Sequence, residues 1–287
     1  MKKQYNPSIL WAVLAAGLYA LNAPVSKLLL EDISPAVMAA LLYLGAGAGM
    51  LLLGWIRRGL GRGGAERHLT RKDLPYTVGM IVLDIAAPIL LMMGLQTTTS
   101  ANVSLLNNFE IVATSLIAWI LFREAISRRL WLAIGLITLS SMILSFEDAS
   151  SLDFSVGSLY VLLACVCWGF ENNCTRMLSQ SDPLEIVVVK GFGSGIGSLV
   201  IALGMGEPLP GPGSGMLALL VGFVAYGLSI FFYVYAQRKL GAARTSAYYA
   251  VAPFIGVALS LAIFRELPAP SFWAALALML WGAYLAR

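Results

Sequence analysis

The sequence is poor in charge. Asp, Glu, Lys and Arg make up 12% of its 287 residues, about half of the ~25% that a soluble domain uses to cover its surface. Hydrophobic residues account for 59% of the chain, and the mean hydropathy is +0.81. These values exclude a water-soluble globular protein, and a lipid bilayer is the environment that the composition fits.

Histidine and cysteine are also scarce. The one histidine, His68, lies in a basic loop, and Cys165, Cys167 and Cys174 all fall within one apolar run. Zinc sites and disulfide frameworks need such residues at ligand spacing in loops, so we expect no metal, no disulfide framework and no cofactor. The sequence contains no Gly-Lys-Ser/Thr phosphate loop, which argues against an ATP-driven pump. The net charge of +4 is scattered over short loops, which argues against nucleic-acid binding.

Ten apolar runs are long enough to cross a bilayer, which requires about 20 mostly apolar residues. Their approximate ranges are 8–30, 35–56, 74–95, 99–121, 130–146, 155–178, 184–204, 215–237, 243–264 and 270–286. The first run is longer than the ~7–15-residue core of a cleaved signal peptide, so we interpret it as a membrane helix. The sequence therefore predicts an all-α integral membrane protein.

Basic residues indicate how these spans are oriented. With a cytoplasmic N-terminus, 16 of the 19 Lys and Arg residues fall in cytoplasmic segments, and only Lys27 and Arg265 fall in outside segments. Lys and Arg are enriched in cytoplasmic loops, and an even number of spans returns the chain to the cytoplasm. We therefore expect a multi-pass protein of the cell (inner or plasma) membrane with both termini in the cytoplasm.

The chain also contains an internal repeat. The glycine-rich run Gly45–Gly49 recurs as Gly193–Gly197, a shift of 148, and Phe122-Arg123-Glu124 recurs as Phe264-Arg265-Glu266, a shift of 142. These matches are collinear, and they predict one five-helix repeat in residues 1–149 and a second in residues 150–287. Because five is odd, the two repeats enter the membrane in opposite directions. Such inverted repeats are typical of transporters that work by alternating access.

Further motifs point to a known family. Pro253 lies in the ninth span, and the segment Trp131–Gly135 has an echo at Trp273–Gly282. Together with the five-plus-five organisation and the repeated Phe-Arg-Glu motif, they resemble the drug/metabolite transporter superfamily, specifically its EamA branch. The resemblance covers nearly the whole chain and implies ten helices in two inverted repeats around a central cavity. It also implies export of amino acids or other metabolites, or uptake of small cations such as choline.

Four ionisable residues lie inside the predicted spans. Asp84 and Glu110 are near the middle of the third and fourth spans, and Glu171 and Lys190 are in the sixth and seventh. A carboxylate near the bilayer centre costs at least about 2.5–3.5 kcal/mol, so each should face a cavity or a partner. Each carboxylate could be a protonated group that ties two helices together, or a proton carrier or cation ligand. Lys190 could extend to the interface, or it could be a counter-ion to Glu171 or Glu110.

Neutral polar and aromatic residues accompany these charges at helical spacing. Polar stripes should face protein or water because lipid cannot satisfy them, and aromatic rings beside carboxylates suit an organic cation. Each Tyr or Trp alone is also compatible with packing or with an interfacial belt. The predicted substrate-binding and coupling residues are Asp84, Glu110, Glu171, Asn22, Tyr19, Asn107, Trp168, Lys190, Tyr226, Tyr233 and Tyr248.

The leading hypothesis is a secondary transporter that moves a small organic solute by alternating access. The carboxylates favour a cationic or zwitterionic amino acid, amine or related metabolite, exported in exchange for protons. The alternatives are an uptake carrier for a quaternary-amine-type cation, a passive channel, and a membrane-embedded enzyme, for which no nucleophile or metal pattern is present. The expected partners are a small-molecule substrate, the lipid bilayer and protons, and a homodimer remains an open alternative to a monomer.

Overall fold

The computed structural model describes residues 7–60, 66–122, 127–148, 153–240, 245, 248–265 and 268–286. The helices of the first half are α1 (Pro7–Tyr19), α2 (Asn22–Leu29), α3 (Pro35–Gly59), α4 (Leu74–Thr97), α5 (Ser100–Leu106), α6 (Phe109–Phe122) and α7 (Arg128–Ser145). Those of the second half are α8 (Val156–Leu178), α9 (Pro183–Gly204), α10 (Pro212–Val221), a π-helical segment (Gly222–Leu228), α11 (Ser229–Leu240), α12 (Ala252–Phe264) and α13 (Pro270–Ala286). A 3-10 turn (Arg71–Asp73) precedes α4, and β1 (Phe146–Asp148) pairs antiparallel with β2 (Asp153–Phe154).

The predicted helical class is confirmed, and the ten predicted spans each correspond to a helix or to a set of consecutive helices. Among the described residues, six segments are long and apolar enough to cross a membrane by length and composition, and two shorter apolar helices follow at Ala252–Phe264 and Pro270–Leu285. The other two predicted spans are the helices α7 and α8. Arg123, Glu124 and Glu266 of the repeated Phe-Arg-Glu motif lie outside the described residues.

Proline and polar caps define where several helices begin. Pro35, Pro183 and Pro212 occupy the first turns of α3, α9 and α10, where a missing backbone N–H has no intrahelical partner to lose. The Asp182 side chain accepts a hydrogen bond from the Leu184 amide at the start of α9. Gly206 follows the end of α9 with a φ of 72°, a conformation that glycine adopts without strain.

Breaks or distortions interrupt the first, fourth and eighth predicted spans, which the apolar pattern did not show. The first span breaks between α1 and α2, where Pro24 cannot donate a backbone hydrogen bond to the preceding turn. The fourth breaks at Asn107 and Asn108, and the Asn108 side chain donates to the Leu105 carbonyl (3.4 Å), a local bond that competes with the helix. The eighth contains the π-helical segment, a distortion often found at functional sites.

The packing of the helices follows an approximate two-fold relation between the halves. Helix α3 packs against its equivalent α9, and α7 packs against its equivalent α13. Helix α5 packs against α12, and these two belong to the equivalent fourth and ninth spans. Helix α4 packs against α8, and α1 packs against α11 in the equivalent way. The core therefore lies between the repeats, with α3 and α9 crossing at its centre.

Glycines permit the close approach of α3 and α9. A methyl group on Gly191 would overlap the backbone of Gly47, and one on Gly47 would lie 3.0 Å from the Phe192 amide nitrogen. Small residues at such crossings let helix backbones come into contact. The glycine-rich runs of the repeat therefore serve close packing of the two halves.

The exterior is apolar, and three of the four ionisable residues within the predicted spans are buried. Large apolar side chains such as Trp55, Leu132 and Trp281 are about 60% exposed on the helix surfaces, as expected for groups that contact lipid. Asp84 is fully buried, and Glu171 and Lys190 are each 3% exposed. These ionisable side chains therefore face the protein interior, as their insertion cost requires.

Candidate functional site

A small central cavity of about 60 Å³ lies between the two repeats. It combines one lysine, three carboxylates and six aromatic residues, contributed by both halves of the chain. The lining residues are Tyr19, Tyr43, Asp84, Glu110, Trp168, Glu171, Asn172, Thr175, Lys190, Tyr226, Ile230, Tyr233 and Tyr249. A smaller lobe of about 30 Å³ adjoins this cavity and shares Tyr19, Glu110, Tyr233 and Tyr249 with it.

Lys190 joins two of the carboxylates. Its Nζ lies 2.6 Å from Oε1 of Glu171 and 2.9 Å from Oδ2 of Asp84, and all three side chains are at most 4% exposed. The hydroxyl of Thr175 donates a further hydrogen bond to Glu171. Lys190 is therefore a counter-ion and does not extend to the interface. Its partners are Glu171 and Asp84, so the predicted pairing with Glu171 is present and the alternative pairing with Glu110 is not.

Glu110 occupies a different position in the cavity. Its Oε1 accepts a hydrogen bond from Asn172 Nδ2 (2.5 Å), and the same amide lies 3.3 Å from Thr114 Oγ1. Within the described ranges, neither lysine nor arginine lies at ion-pair distance from this carboxylate. One ammonium thus faces three carboxylates in the cavity, and Glu110 is the carboxylate without a cationic partner among the described residues.

The aromatic residues form a continuous cluster around Tyr19. Its ring centroid lies 6.4 Å from Trp168, 5.9 Å from Tyr226 and 5.8 Å from Tyr249. Most of these contacts are edge-to-face, the arrangement that ring quadrupoles favour. The cavity therefore offers both ring faces and phenolic hydroxyl groups beside its carboxylates.

A neutral hydrogen-bonded network joins Ser26 and Asn22 of the first repeat to Tyr226 of the second. Ser26 Oγ donates to Asn22 Oδ1 (3.0 Å), and Asn22 Nδ2 donates to the Tyr226 hydroxyl (3.1 Å). Asn22 and Tyr226 are each 1% exposed, and Ser26 is fully buried. This neutral network links α2 to the π-helical segment of the other half.

A charged network joins Thr175, Glu171 and Lys190 of the second repeat to Asp84 of the first. The charged network occupies the place equivalent to that of the neutral network under the two-fold relation between the repeats. Helices α1 and α2 correspond to α8, and α4 corresponds to the π-helical segment, because a shift of 142 relates Asp84 to Tyr226. In each network a hydroxyl donates to the side chain four residues earlier on the same helix. The two halves of the cavity therefore have similar hydrogen-bond geometry and different charge.

A larger cavity, about 490 Å³, lies elsewhere, at the helix ends predicted to face outside. Its wall is rich in neutral polar side chains such as Thr98, Asn102 and Ser271. Ser100 and Ser260 lie on this wall, and their hydroxyls are 2.9 Å apart. Helices α5 and α12 are in contact with each other. The cavity at the outside helix ends, which we call the outer vestibule, shares no lining residue with the central cavity or its smaller lobe.

The structure brings together all but one of the predicted site residues. Most of them line the central cavity, Asn107 lines the smaller lobe, and Asn22 supports Tyr226 from behind. Tyr248 does not belong to the set, because it lines a separate apolar cavity with Tyr284. Its neighbour Tyr249 points into the site instead, since consecutive residues of a helical turn point about 100° apart.

Five residues that line the central cavity were missed by the sequence prediction: Tyr43, Asn172, Thr175, Ile230 and Tyr249. Two of them had a usable signal. Asn172 follows Glu171 directly within a span, and Thr175 lies one turn further on the same face. Tyr43 is an isolated tyrosine in an apolar run, and the pattern around it contains no feature that separates it from a packing residue.

Comparisons with known proteins agree with this architecture. The model of the EamA-like transporter family matches residues 6–146 and 155–287. An uncharacterized transporter of Methanothermobacter thermautotrophicus is 27% identical over 270 residues, covering 86% of this chain and 76% of that protein. The uncharacterized transporter YyaM of Bacillus subtilis is 22% identical over 240 residues, covering 80% of this chain and 77% of its own length. A solved crystal structure has the same fold, with a TM-score of 0.72 and 17% identity over 98% of this chain and 96% of its own.

Proposed function

Because the chain belongs to the EamA-like transporter family, we propose that it is a secondary transporter that exports a small cationic or zwitterionic solute in exchange for protons. The cargo is an amino acid, an amine or a related metabolite. The protein resides in the cell membrane with both termini in the cytoplasm. The observation that carries this proposal is the Glu110 carboxylate, which faces a cavity ringed by aromatic side chains and has no cationic partner among the described residues.

The charge of the cavity supports a cationic cargo. Lys190 compensates Glu171 and Asp84 in part, so the carboxylates exceed the ammonium groups near the cavity. A desolvated carboxylate is unfavourable unless a proton or a cation compensates it. We propose that Glu110 holds the ammonium group of the cargo in one state and a proton in the other.

The aromatic cluster supports an organic cargo. Ammonium groups are attracted to the faces of Trp and Tyr rings, an interaction worth about 0.5–2 kcal/mol depending on desolvation. Trp168, Tyr19 and Tyr249 lie around the same space as Glu110. The same arrangement also suits a quaternary amine, so an uptake carrier for such a cation is the second candidate.

Exchange of carboxylate for amide in the cavity tests the proposal. Amino acids, polyamines and quaternary amines are first screened for thermal stabilisation of the purified protein, since ligands that bind the folded state raise its stability. The flux of each hit is then measured in proteoliposomes under an imposed pH gradient. We expect Glu110→Gln to reduce the initial rate at least about tenfold, because a bond to a charged group is worth about 1.5–3 kcal/mol.

The matched control is Glu31→Gln, the same chemical change at an exposed carboxylate, which should transport at the wild-type rate. Asp84→Asn should also impair flux because it removes one partner of Lys190. Unchanged flux and unchanged pH dependence in both Glu110→Gln and Asp84→Asn would reject the roles assigned to these residues. Absence of transport by the wild type for every class of the panel would reject the proposed cargo.

A further inference from the structure

The smaller lobe of the cavity lies at the break between α5 and α6. Its volume is about 30 Å³, which is room for one water molecule or one small ion. Oxygen-bearing side chains dominate its polar wall, including Asn107, Asn108, Glu110 and Thr114. Interrupted membrane helices at such sites are known to coordinate ions, because the interruption exposes polar groups to a cavity.

Asn108 contributes a buried oxygen that lacks a donor. The residue is 1% exposed, and its Nδ2 donates to the Leu105 carbonyl at 3.4 Å, which fixes the orientation of the amide. Its Oδ1 is buried and accepts no hydrogen bond from any part of the chain that the structure describes. Leaving such an acceptor without a partner is unfavourable. A hydrogen-bond donor or a cation bound in the lobe would satisfy this oxygen.

Glu110 supplies negative charge to the same lobe. Its Oε1 accepts from Asn172, whereas its Oε2 has no hydrogen-bond donor among the described residues. Lys190 is already held between Glu171 and Asp84. The lobe therefore combines one carboxylate with a neutral amide oxygen, and both lack a positive or donating partner.

This combination points to a particular class of ion. Carboxylate and carbonyl oxygens are ligands for hard cations, whereas imidazole and thiolate suit transition metals. Across the described ranges, no group of three or more His, Cys, Asp and Glu residues is arranged to hold a metal ion. A single carboxylate balances one positive charge, so the site suits a monovalent cation better than Mg²⁺ or Ca²⁺.

We propose that the smaller lobe is a binding site for a small alkali-metal ion such as Na⁺, held between the Glu110 carboxylate and Asn108 Oδ1. The inference rests on the proposed transport function and extends it, because Na⁺ would be a further cation that binds the Glu110 carboxylate besides the cargo and the proton. Cargo in the central cavity and Na⁺ in the lobe then share one carboxylate. Na⁺ and the cargo are therefore expected to compete or to be exchanged across the membrane.

Thermal unfolding of the purified protein in detergent tests the site. The midpoint is measured in NaCl, LiCl and KCl at equal ionic strength and fixed pH. We expect a saturable upward shift in NaCl relative to KCl, lost in both Asn108→Ala and Glu110→Gln. The matched control Asn102→Ala removes an amide from the outer vestibule, and it should keep the full Na⁺ shift. Equal midpoints in NaCl and KCl for the wild type, or an unchanged Na⁺ shift in Asn108→Ala and Glu110→Gln, would overturn the proposal and leave a bound water as the occupant.

Flux measurements separate this inference from the proposed function. Organic solute transport in proteoliposomes is compared in NaCl and KCl media, alongside uptake of ²²Na⁺. Solute transport that is insensitive to Na⁺, with no ²²Na⁺ uptake and no Na⁺ shift, would refute the ion site and leave the transport function intact. A Na⁺ shift that depends on Asn108 without transport of any organic solute would support the ion site and refute the proposed function.

Discussion

Replacing Lys190 with Met is expected to destabilise the protein by about 3–5 kcal/mol, the range observed when one partner of a buried ion pair is removed. The substitution leaves two carboxylates without their ammonium group. Lys190 Nζ lies 2.6 Å from Glu171 and 2.9 Å from Asp84, and water reaches at most 4% of any of the three side chains. Solvent therefore cannot compensate the charges that remain.

The assay is reversible chemical unfolding in mixed micelles, followed by tryptophan fluorescence or circular dichroism. Lys72→Met, the same change at an exposed position before α4, is the control and should change the unfolding free energy by less than about 0.5 kcal/mol. The deficit of Lys190→Met should shrink as the pH is lowered, because protonation removes the uncompensated charge.

A charge-free combination separates charge from packing. Lys190→Met combined with Asp84→Asn and Glu171→Gln removes every charge of the charged network, and replacement of a whole buried ion network is often neutral or stabilising. This triple variant should therefore recover most of the stability lost by Lys190→Met alone. A loss below about 1 kcal/mol for the single variant, or a triple variant no more stable than the single one, would refute the reasoning.

Three further substitutions test other parts of the fold by the same unfolding assay. Gly191→Ala should lower the free energy of unfolding by about 1–3 kcal/mol, because its new methyl group overlaps Gly47. Gly17→Ala in α1, whose methyl group meets no atom within 4 Å, should raise it by about 0.5–1 kcal/mol, and equal effects of the two variants would contradict the packing account. Tyr226→Phe and Asn22→Ala should show a coupling of about 1 kcal/mol in a double-mutant cycle if their hydrogen bond contributes, and strictly additive losses would argue against it. Lys27→Met should lower the free energy of unfolding by about 1.5–3 kcal/mol, because the Lys27 ammonium donates to the carbonyls of Leu95, Gln96 and Thr98 at the end of α4. A loss below that range would show that these bonds contribute little.

Much of the architecture could be predicted because membrane helices have a strong compositional signal. Apolar runs of about 20 residues give the spans directly, and Pro35 and Pro183 indicate where two equivalent helices begin. Asp84, Glu110, Glu171 and Lys190 could be recognised as interior residues because lipid does not tolerate their charge. Their position inside the protein follows from solvation and needs no knowledge of the packing.

Pairings between helices could not be predicted in the same way. Lys190 pairs with Glu171 and Asp84 because α4 packs against both α8 and α9, and hydropathy carries no information on that arrangement. Tyr248 and Tyr249 are adjacent, so an error of one residue in the phase of an irregular helix exchanges a site residue for an outer one. The breaks at Asn107 and Asn108 lie in an otherwise apolar run, where tertiary contacts decide whether the helix continues.

The proposed exchange of cargo for protons requires that the central cavity open to either side of the membrane in turn. Thr114 lies on the wall of the smaller lobe, and Thr114→Cys in a variant with Cys165, Cys167 and Cys174 replaced by Ala reports on access to it. In proteoliposomes of uniform orientation, a membrane-impermeant thiol reagent is applied to the outside or to the inside alone. Modification of Cys at position 114 from each side, in vesicles that stay sealed to the reagent, is the predicted result. Modification from one side only under every pH and solute condition, or leakage of the reagent through the protein, would contradict the account.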